Sequence, residues 1–366
     1  MDSSKCQILD FAKPFFPNNF VLFEVEKSVV EAFTSSQSLP LTVRGRPSDS
    51  LVVCTASRTL GAKDVEVSNT LLLLDGTPSG GENEPNSNLI VGITNHFIEL
   101  SEVFPNQTFR LKSLLAKSAL DFYDKEGPKV KGFELNELLE EVQISEKQLR
   151  EELDKFPVVQ SPEGLFHLLS DDCQHKFLDE LVELFDDPDG IGMQISAFSS
   201  DLLRQKVSAQ VTDIGWFLRL FCDRNENGTF CVCPHKFVHF RAERVLRSSD
   251  HCKQWRIDEF EECVRRLLPD SFHRLRSSDH LDGIALFSES LVYGKTLRAL
   301  LPDTLPQELG SRLAHLFGLK LAWKRDELRP FVVDFCPNMA KMEELLLKHC
   351  KIVGSGSERS YIYRQM

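Results

Sequence analysis

Apolar alternation with period two across residues 20 to 103, helical spacing from about 107 onward, and a recurring order of helices closed by a strand–turn–strand predict an α+β, multidomain protein. The expected layout is an N-terminal antiparallel β-barrel-like domain (1–105) followed by tandem winged-helix domains. The first (106–190) carries a connecting helix, the middle region spans 191–303, and the last unit spans 304–366. A chain of 366 residues is long enough to divide into several domains with separate cores.

The front segments FVLFEVE, LPLTVRG, LVVCTAS, DVEVSNTLLLL and NLIVGITNHFIELSEV are short, β-branched and partly alternating, as half-buried strands are. Between the last two lies DGTPSGGENEPNSN (75–88), a connection with almost no apolar residue. Several strands without long intervening helices favour a small barrel or sandwich. Beyond them, FRLKSLLAKSALDFY, FELNELLEEVQ, ISEKQLREELDKF and HKFLDELVELF place apolar residues at helical intervals. A helix over 145–156 then leads into PVVQSPEGLFHLL, and QVTDIGWFLRLFC into NENGTFCVC, each a helix followed by a hairpin. VRRLLP to LDGIALFSESLVYG is a third, less regular version. The last version is the cleanest: LPQELGSRLAHLFG, KRDELRPFVVDFC and NMAKMEELLLKHC are three helices, closed by KIVGSGSERSYIYR. Three helices and a β-hairpin form the winged variant of the helix-turn-helix.

Composition bounds the function. With 42% hydrophobic and 27% charged residues the chain reads as globular, and its longest apolar runs are far short of the ~18 residues of a membrane span. The start, MDSSKCQILDFAKPFF, lacks the pattern of a secretory signal, and ten scattered cysteines point to reduced thiols. The net charge of −12 is unevenly spread. Residues 191–366 carry 26 Lys+Arg against 22 Asp+Glu, and residues 1–190 carry 17 against 33. Any phosphate contact is therefore expected in the back half.

DRNENGTFCVCPHKFVHF (223–240) holds the densest set of metal-type side chains, yet it reads as a hairpin. A calcium loop starting at Asp223 would have Pro234 in place of its bidentate carboxylate. Cys231 and Cys233 are one residue apart, too close in sequence for the common zinc spacing, and on a strand their side chains stand ~6–7 Å apart. His235 and His239 could join them only if the strand bent at Pro234. The nucleotide-loop, metalloprotease and nucleophile-elbow patterns are missing from the sequence. No enzyme, metal or cofactor is expected.

In the last unit the third helix and the wing are the expected contact surface. Asn338 is its candidate cap, Met339, Met342, Leu345 and Leu346 its inward stripe, and Lys341 and Lys348 lie on another face. Lys351, Arg359 and Arg364 extend the positive charge onto the hairpin, and Lys320, Lys324 and Arg325 stand near the second helix. Nine Lys+Arg against six acids from residue 320 onward predict weak, salt-sensitive, sequence-independent contact with single- or double-stranded DNA. The first unit, with LNELLEEV and EKQLREELDKF, is acidic and suits protein docking.

The strands above, LDGIALFSESL, and LPQELGSRLAHLFGLKLAWKRDELRPF closing on SYIYR resemble the Dcc family of sister-chromatid cohesion proteins, from about residue 20 to the end. The most specific part is the run Trp-x-x-x-acidic-aliphatic-x-Pro-aromatic, matched by Trp323, Glu327, Leu328, Pro330 and Phe331. The resemblance implies a non-catalytic nuclear subunit of the alternative replication factor C clamp loader, acting on the sliding clamp PCNA. It further implies a composite barrel made by the N-terminal domain with the large ATPase subunit and a small β subunit. Indirect association with the replication factor C small subunits, and contact of the winged helices with the DNA polymerase epsilon catalytic subunit and DNA, are implied in the same way. The competing class is a winged-helix interaction scaffold of another nuclear assembly, without DNA binding.

Overall fold

The computed structural model describes residues 8–17, 19–34, 41–46, 49–75, 87–102, 107–121, 130–187, 193–208, 213–250, 253–290, 294–336, 339–354 and 359–364. The chain separates into two compact units. One comprises residues 1–103 with 139–149, the other 104–138 with 150–366.

The first unit is built on β1 (Ile8–Phe11), β2 (Phe23–Glu24), α1 (Lys27–Thr34), β3 (Thr42–Arg44), β4 (Val52–Cys54), β5 (Thr59–Leu74) and β6 (Ser87–Glu102). Its sheet runs β1-β6-β5-β4-β3, with β2 also on β6. Two expectations are corrected here. The sheet is an open path among the described residues, not a barrel, and it is mixed, because β1 and β2 both pair parallel to β6. Only two residues of FVLFEVE pair, and KSVVEAFT forms α1, whose Val29 is buried with Val53, Leu60 and Leu100. β5 and β6 form a long antiparallel ribbon with register shifts between Glu66 and Leu71 and between Leu73 and Leu74. Most of the loop 75–88 lies outside the described residues.

Residues 139–149 contain the end of α3 (Leu135–Val142) and the start of α4 (Glu146–Leu153). They belong to the first unit through specific bonds. The N–H of Ser145 donates to Thr59 Oγ1 at 2.9 Å, and that hydroxyl donates to Gln148 Oε1 at 2.6 Å. Gln143, at φ 60° in the turn between the helices, donates to Asp49 Oδ2 at 2.6 Å. Arg44 pairs with Glu140 at 2.6 Å, and Arg46 with Glu141. Thr59 is fully buried, so satisfying both its donor and its acceptor offsets the desolvation of its hydroxyl.

In the second unit, α2 (Gln107–Leu115) precedes the hairpin β7 (Val158–Gln160) and β8 (Phe166–Leu168), and α5 (Asp171–Asp186) follows it. Next come α6 (Ser200–Lys206), α7 (Gly215–Phe221), β9 (Cys222–Arg224), β10 (Phe230–Val232), α8 (Pro234–Arg247), β11 (Trp255–Arg256), α9 (Ile257–Arg265), β12 (Ala285–Ser290) and β13 (Gly294–Ala299). The chain ends with α10 (Leu309–Leu319), β14 (Trp323–Lys324), α11 (Arg325–Val332), α12 (Met339–His349), β15 (Cys350–Val353) and β16 (Ser360–Tyr363).

One order repeats along this half: a helix, a short strand or bridge, two helical segments, then a strand–turn–strand. α5, the Phe198 bridge, α6, α7 and β9–β10 form one instance. α8, β11, α9, a 3-10 turn at Ser277–His280 and β12–β13 form the next, and α10 to β16 the last. In the last two, the short strand pairs with the second hairpin strand, giving sheets β11-β13-β12 and β14-β16-β15. Both short strands begin a matching run, WRIDEF at 255–260 and WKRDEL at 323–328. Trp255 meets Phe260 edge-on at 5.8 Å, and Trp323 meets Phe331 at 5.9 Å. Each indole also lies under a lysine, Lys253 and Lys320 respectively.

The stretch 223–240 is a hairpin only in its first half. Asn225 N–H donates to the Thr229 carbonyl, and Gly228 supplies φ +83°. From Pro234 the chain is helical, with the proline in the first turn, where its missing N–H costs nothing. Phe237, Val238, Arg241, Ala242, Val245 and Leu246 are the buried stripe of α8. Cys231 therefore sits on β10, while His235 and His239 point from a helix. Among the described residues there is no group of three or more metal-type side chains placed to hold an ion, and no helix is long and apolar enough to cross a membrane.

A single core runs from Val159 to Leu301, with Phe177, Trp216, Phe217 and Phe237 fully buried within it. The expected boundary at 190 thus does not separate two cores. Arg241 is buried in it and donates from Nη2 to Asp179 Oδ1 at 2.6 Å, tying α8 to α5. Neighbouring His175 is held neutral: burial, with Arg244 and Arg241 close by, lowers its pKa to about 3. The C-terminal residues have a core of their own, including Leu313, Leu316, Trp323, Leu328, Met342 and Leu346.

Candidate nucleic-acid and partner interface

The motif residues prove to be the frame of the last repeat. Trp323 Nε1 donates to the Leu316 carbonyl at 3.1 Å, joining β14 to α10. Glu327 Oε2 accepts from the Lys324 N–H at 2.9 Å, capping α11, and from Lys320 Nζ at 2.7 Å. Burial alone raises the pKa of the Glu327 carboxyl, but these two donors win and hold it below the ordinary carboxylate value. Leu328 and Phe331 are buried, and Pro330 lies against Gly283. Of the expected inward stripe on α12, Met342 and Leu346 are fully buried, and Met339 packs at the edge. Asn338 lies outside the described residues.

The eight candidate cations are not one patch. Lys324, Arg325 and Arg359 gather at the β14–β16 edge, since Lys324 pairs in register with Ser360. Lys348, Lys351 and Arg364 instead border a groove beside α10. Lys341 lies on α12 away from both sets of pairings and shares Glu344 with Lys348, at 2.8 and 3.2 Å. Arg325 pairs with Glu343 at 2.9 Å and Lys320 with Glu327 at 2.7 Å. Half of the candidates therefore already face a carboxylate. Such exposed pairs contribute ~0–1 kcal/mol, little enough for a phosphate to replace the acid. Lys351 makes no ion pair among the described residues. Arg364 is oriented by its Nε, which donates to the Cys350 carbonyl at 3.1 Å.

Sequence reasoning missed the apolar part of the surface. The last repeat exposes Leu321 at 84%, Val353 at 50%, Leu347, Ile352 and Ile362. In the first unit, Val21, Val43, Phe16, Phe23, Phe11 and Leu9 are all about half exposed or more. An unpaired apolar side chain on a strand looks the same in sequence as one that faces a core, so only the topology exposes it.

These features define a multi-module α+β protein whose candidate sites are binding surfaces: an open sheet with exposed apolar side chains in the first unit, and exposed cations beside apolar side chains in the last repeat. The family model for "Sister chromatid cohesion protein Dcc1" matches residues 20–332, and the chain belongs to that family. Membership supports a role in sister chromatid cohesion; the family is named for cohesion and not for an enzymatic activity. The chain is similar to the sister chromatid cohesion protein DCC1 of Danio rerio, 24% identical over 358 residues that cover 94% of this chain and 88% of that protein. The Xenopus laevis protein of the same name is 24% identical over 95% of this chain and 90% of its own length. The probable sister chromatid cohesion protein DCC1 of Dictyostelium discoideum is 22% identical over 99% of both.

Proposed function

We propose that this chain is a non-catalytic nuclear subunit of the alternative replication factor C clamp loader, which it tethers to DNA polymerase epsilon and DNA for loading or unloading of PCNA. The observation that carries the reading is the exposed apolar surface of the first unit, with Phe23 at 52% and Val43 at 61% on β2 and β3. A surface of this kind is completed by a partner's strands, here those of the large ATPase subunit and the small β subunit. The repeated helix–hairpin units behind it are winged helices in this reading, and they supply several modest contacts whose combined effect is a raised local concentration.

The test is co-expression of the chain with those two subunits. The wild type is expected to recover both, along with the replication factor C small subunits. The double variant Phe23→Asp/Val43→Asp is expected to lose them while keeping its own stability, since both side chains are exposed. Recovery unchanged by the double variant would remove the sheet from the assembly.

The ion pairs made by Lys320, Arg325, Lys341 and Lys348 favour a second reading, a winged-helix scaffold of a nuclear assembly without DNA binding. Lys351→Glu/Arg359→Glu separates the two. On the first reading, short duplex DNA binds more weakly, and the slope of log affinity against log salt becomes shallower by about 2. An unchanged slope supports the second.

A further inference from the structure

We infer that the groove between α10 and the β15–β16 hairpin is a docking site for an acidic peptide segment of a partner protein, one that carries apolar anchors. The groove has a volume of about 970 Å³, enough for several side chains. Its floor is formed by Phe317, Leu321 and Ile362, and its rim by Lys348, Lys351 and Arg364. No acidic side chain among the described residues lines it. Leu321, 84% exposed, is the feature that most needs explanation. It lies two residues past the end of α10 and lines the concavity, so a ligand seated in the groove would cover it.

Charge and surface type together select the occupant. Duplex DNA would use the cations and leave the aliphatic floor uncovered. Single-stranded bases need a succession of open ring faces to stack on, whereas Phe317 is only 6% exposed and the half-buried Tyr363, also in the lining, has one face stacked on it at 5.6 Å. A second copy of this chain meeting the groove about a twofold axis would set Lys351 and Arg364 against their own equivalents, which is repulsive. An acidic segment with leucine- or aromatic-type anchors satisfies both parts: its carboxylates meet the rim, and its anchors cover the floor. Arg364 is already oriented for this by its bond to the Cys350 carbonyl, so little of its freedom is lost on binding. The inference stands apart from the DNA reading, because Leu321 carries no charge.

The experiment selects a displayed random peptide library on the full chain, then measures the enriched peptides, synthesised with a fluorophore, by polarisation. The expected peptides combine Asp or Glu with large apolar residues and bind more weakly as salt rises. Leu321→Asp should weaken them about tenfold or more, as expected for replacing a buried apolar contact with a like charge. Lys351→Glu should weaken them as well, while Leu321→Asp should weaken binding of short duplex DNA far less than it weakens the peptides. Three results would each overturn the proposal. They are no enriched peptide, enriched peptides that bind Leu321→Asp as well as the wild type, and a loss of duplex DNA binding in Leu321→Asp equal to the loss of peptide. Leu321 is too exposed for its replacement to threaten folding, and the unfolding transition of the variant checks this.

Discussion

Replacing Trp216 with alanine is expected to destabilise the second unit by about 3–5 kcal/mol, the range for removing a large aromatic from a packed core. Trp216 is fully buried and stands at the centre of an aromatic cluster, with ring centroids 5.3 Å from Phe177, 6.1 Å from Phe221 and 6.3 Å from Phe217. Those rings come from α5 and α7, so the cavity would open between elements and not within one. Trp216→Phe is expected to cost less than half as much. The indole Nε1 has no hydrogen-bond partner among the described residues, and removing a buried unpaired donor returns part of what the smaller ring loses. Urea titrations of the three proteins, followed by circular dichroism, provide the comparison. Equal losses for Ala and Phe would show that Nε1 is paired in solution and that the cavity is not the main term.

The sequence carried the strong periodicities well. β5 and β6 are two 16-residue strands, and the corresponding segments were legible as strands because alternation over that length has few alternative explanations. The last repeat was legible for the same reason, since three amphipathic helices and a glycine-bearing turn agree with each other. Three elements were hidden. β1 is four residues long and pairs with β6 about eighty positions away, which no local pattern records. α1 contains two adjacent valines and a phenylalanine, a composition that local propensity assigns to a strand. α8 was obscured by the Cys and His side chains that precede and populate it, although Pro234 followed by apolar residues at i, i+4 and i+8 marks a helix start. The candidate cations could be named from the sequence, but it did not show that Glu343, Glu344 and Glu327 meet half of them. Pairing at i+3 and i+4 was open to inspection for Lys341 and Lys348; the pair between Arg325 on α11 and Glu343 on α12 was not. The repeated runs WRIDEF and WKRDEL were overlooked in the sequence, although a shared Trp-x-x-Asp-Glu pattern marks two copies of one structural device.

That device leads to the second large effect. Gly283→Val is expected to destabilise the chain by ~2–5 kcal/mol, for two separable reasons. Gly283 has φ +77°, a left-handed conformation that costs a residue with a Cβ about 1–2 kcal/mol, and more when it is β-branched. A Cβ at this position would also lie 2.5 Å from the Cβ of Pro330. The proline ring is rigid and sits on α11, whose Leu328 and Phe331 are buried on either side of it, so it cannot rotate away as a flexible side chain would. Overpacking of this kind adds about 1–3 kcal/mol. The two terms separate in a double-mutant cycle with Gly283→Ala and Pro330→Gly. Pro330→Gly removes the overlap but leaves the backbone strain, so the alanine should cost less in the glycine background by at least ~0.5 kcal/mol. Strict additivity would mean that the turn and α11 do not touch in solution. A coupling of the expected sign would explain why a proline occupies the family run at position 330. Its ring fills the space left by a residue with no side chain, and so joins the turn that leads into the hairpin of one repeat to the second helix of the next.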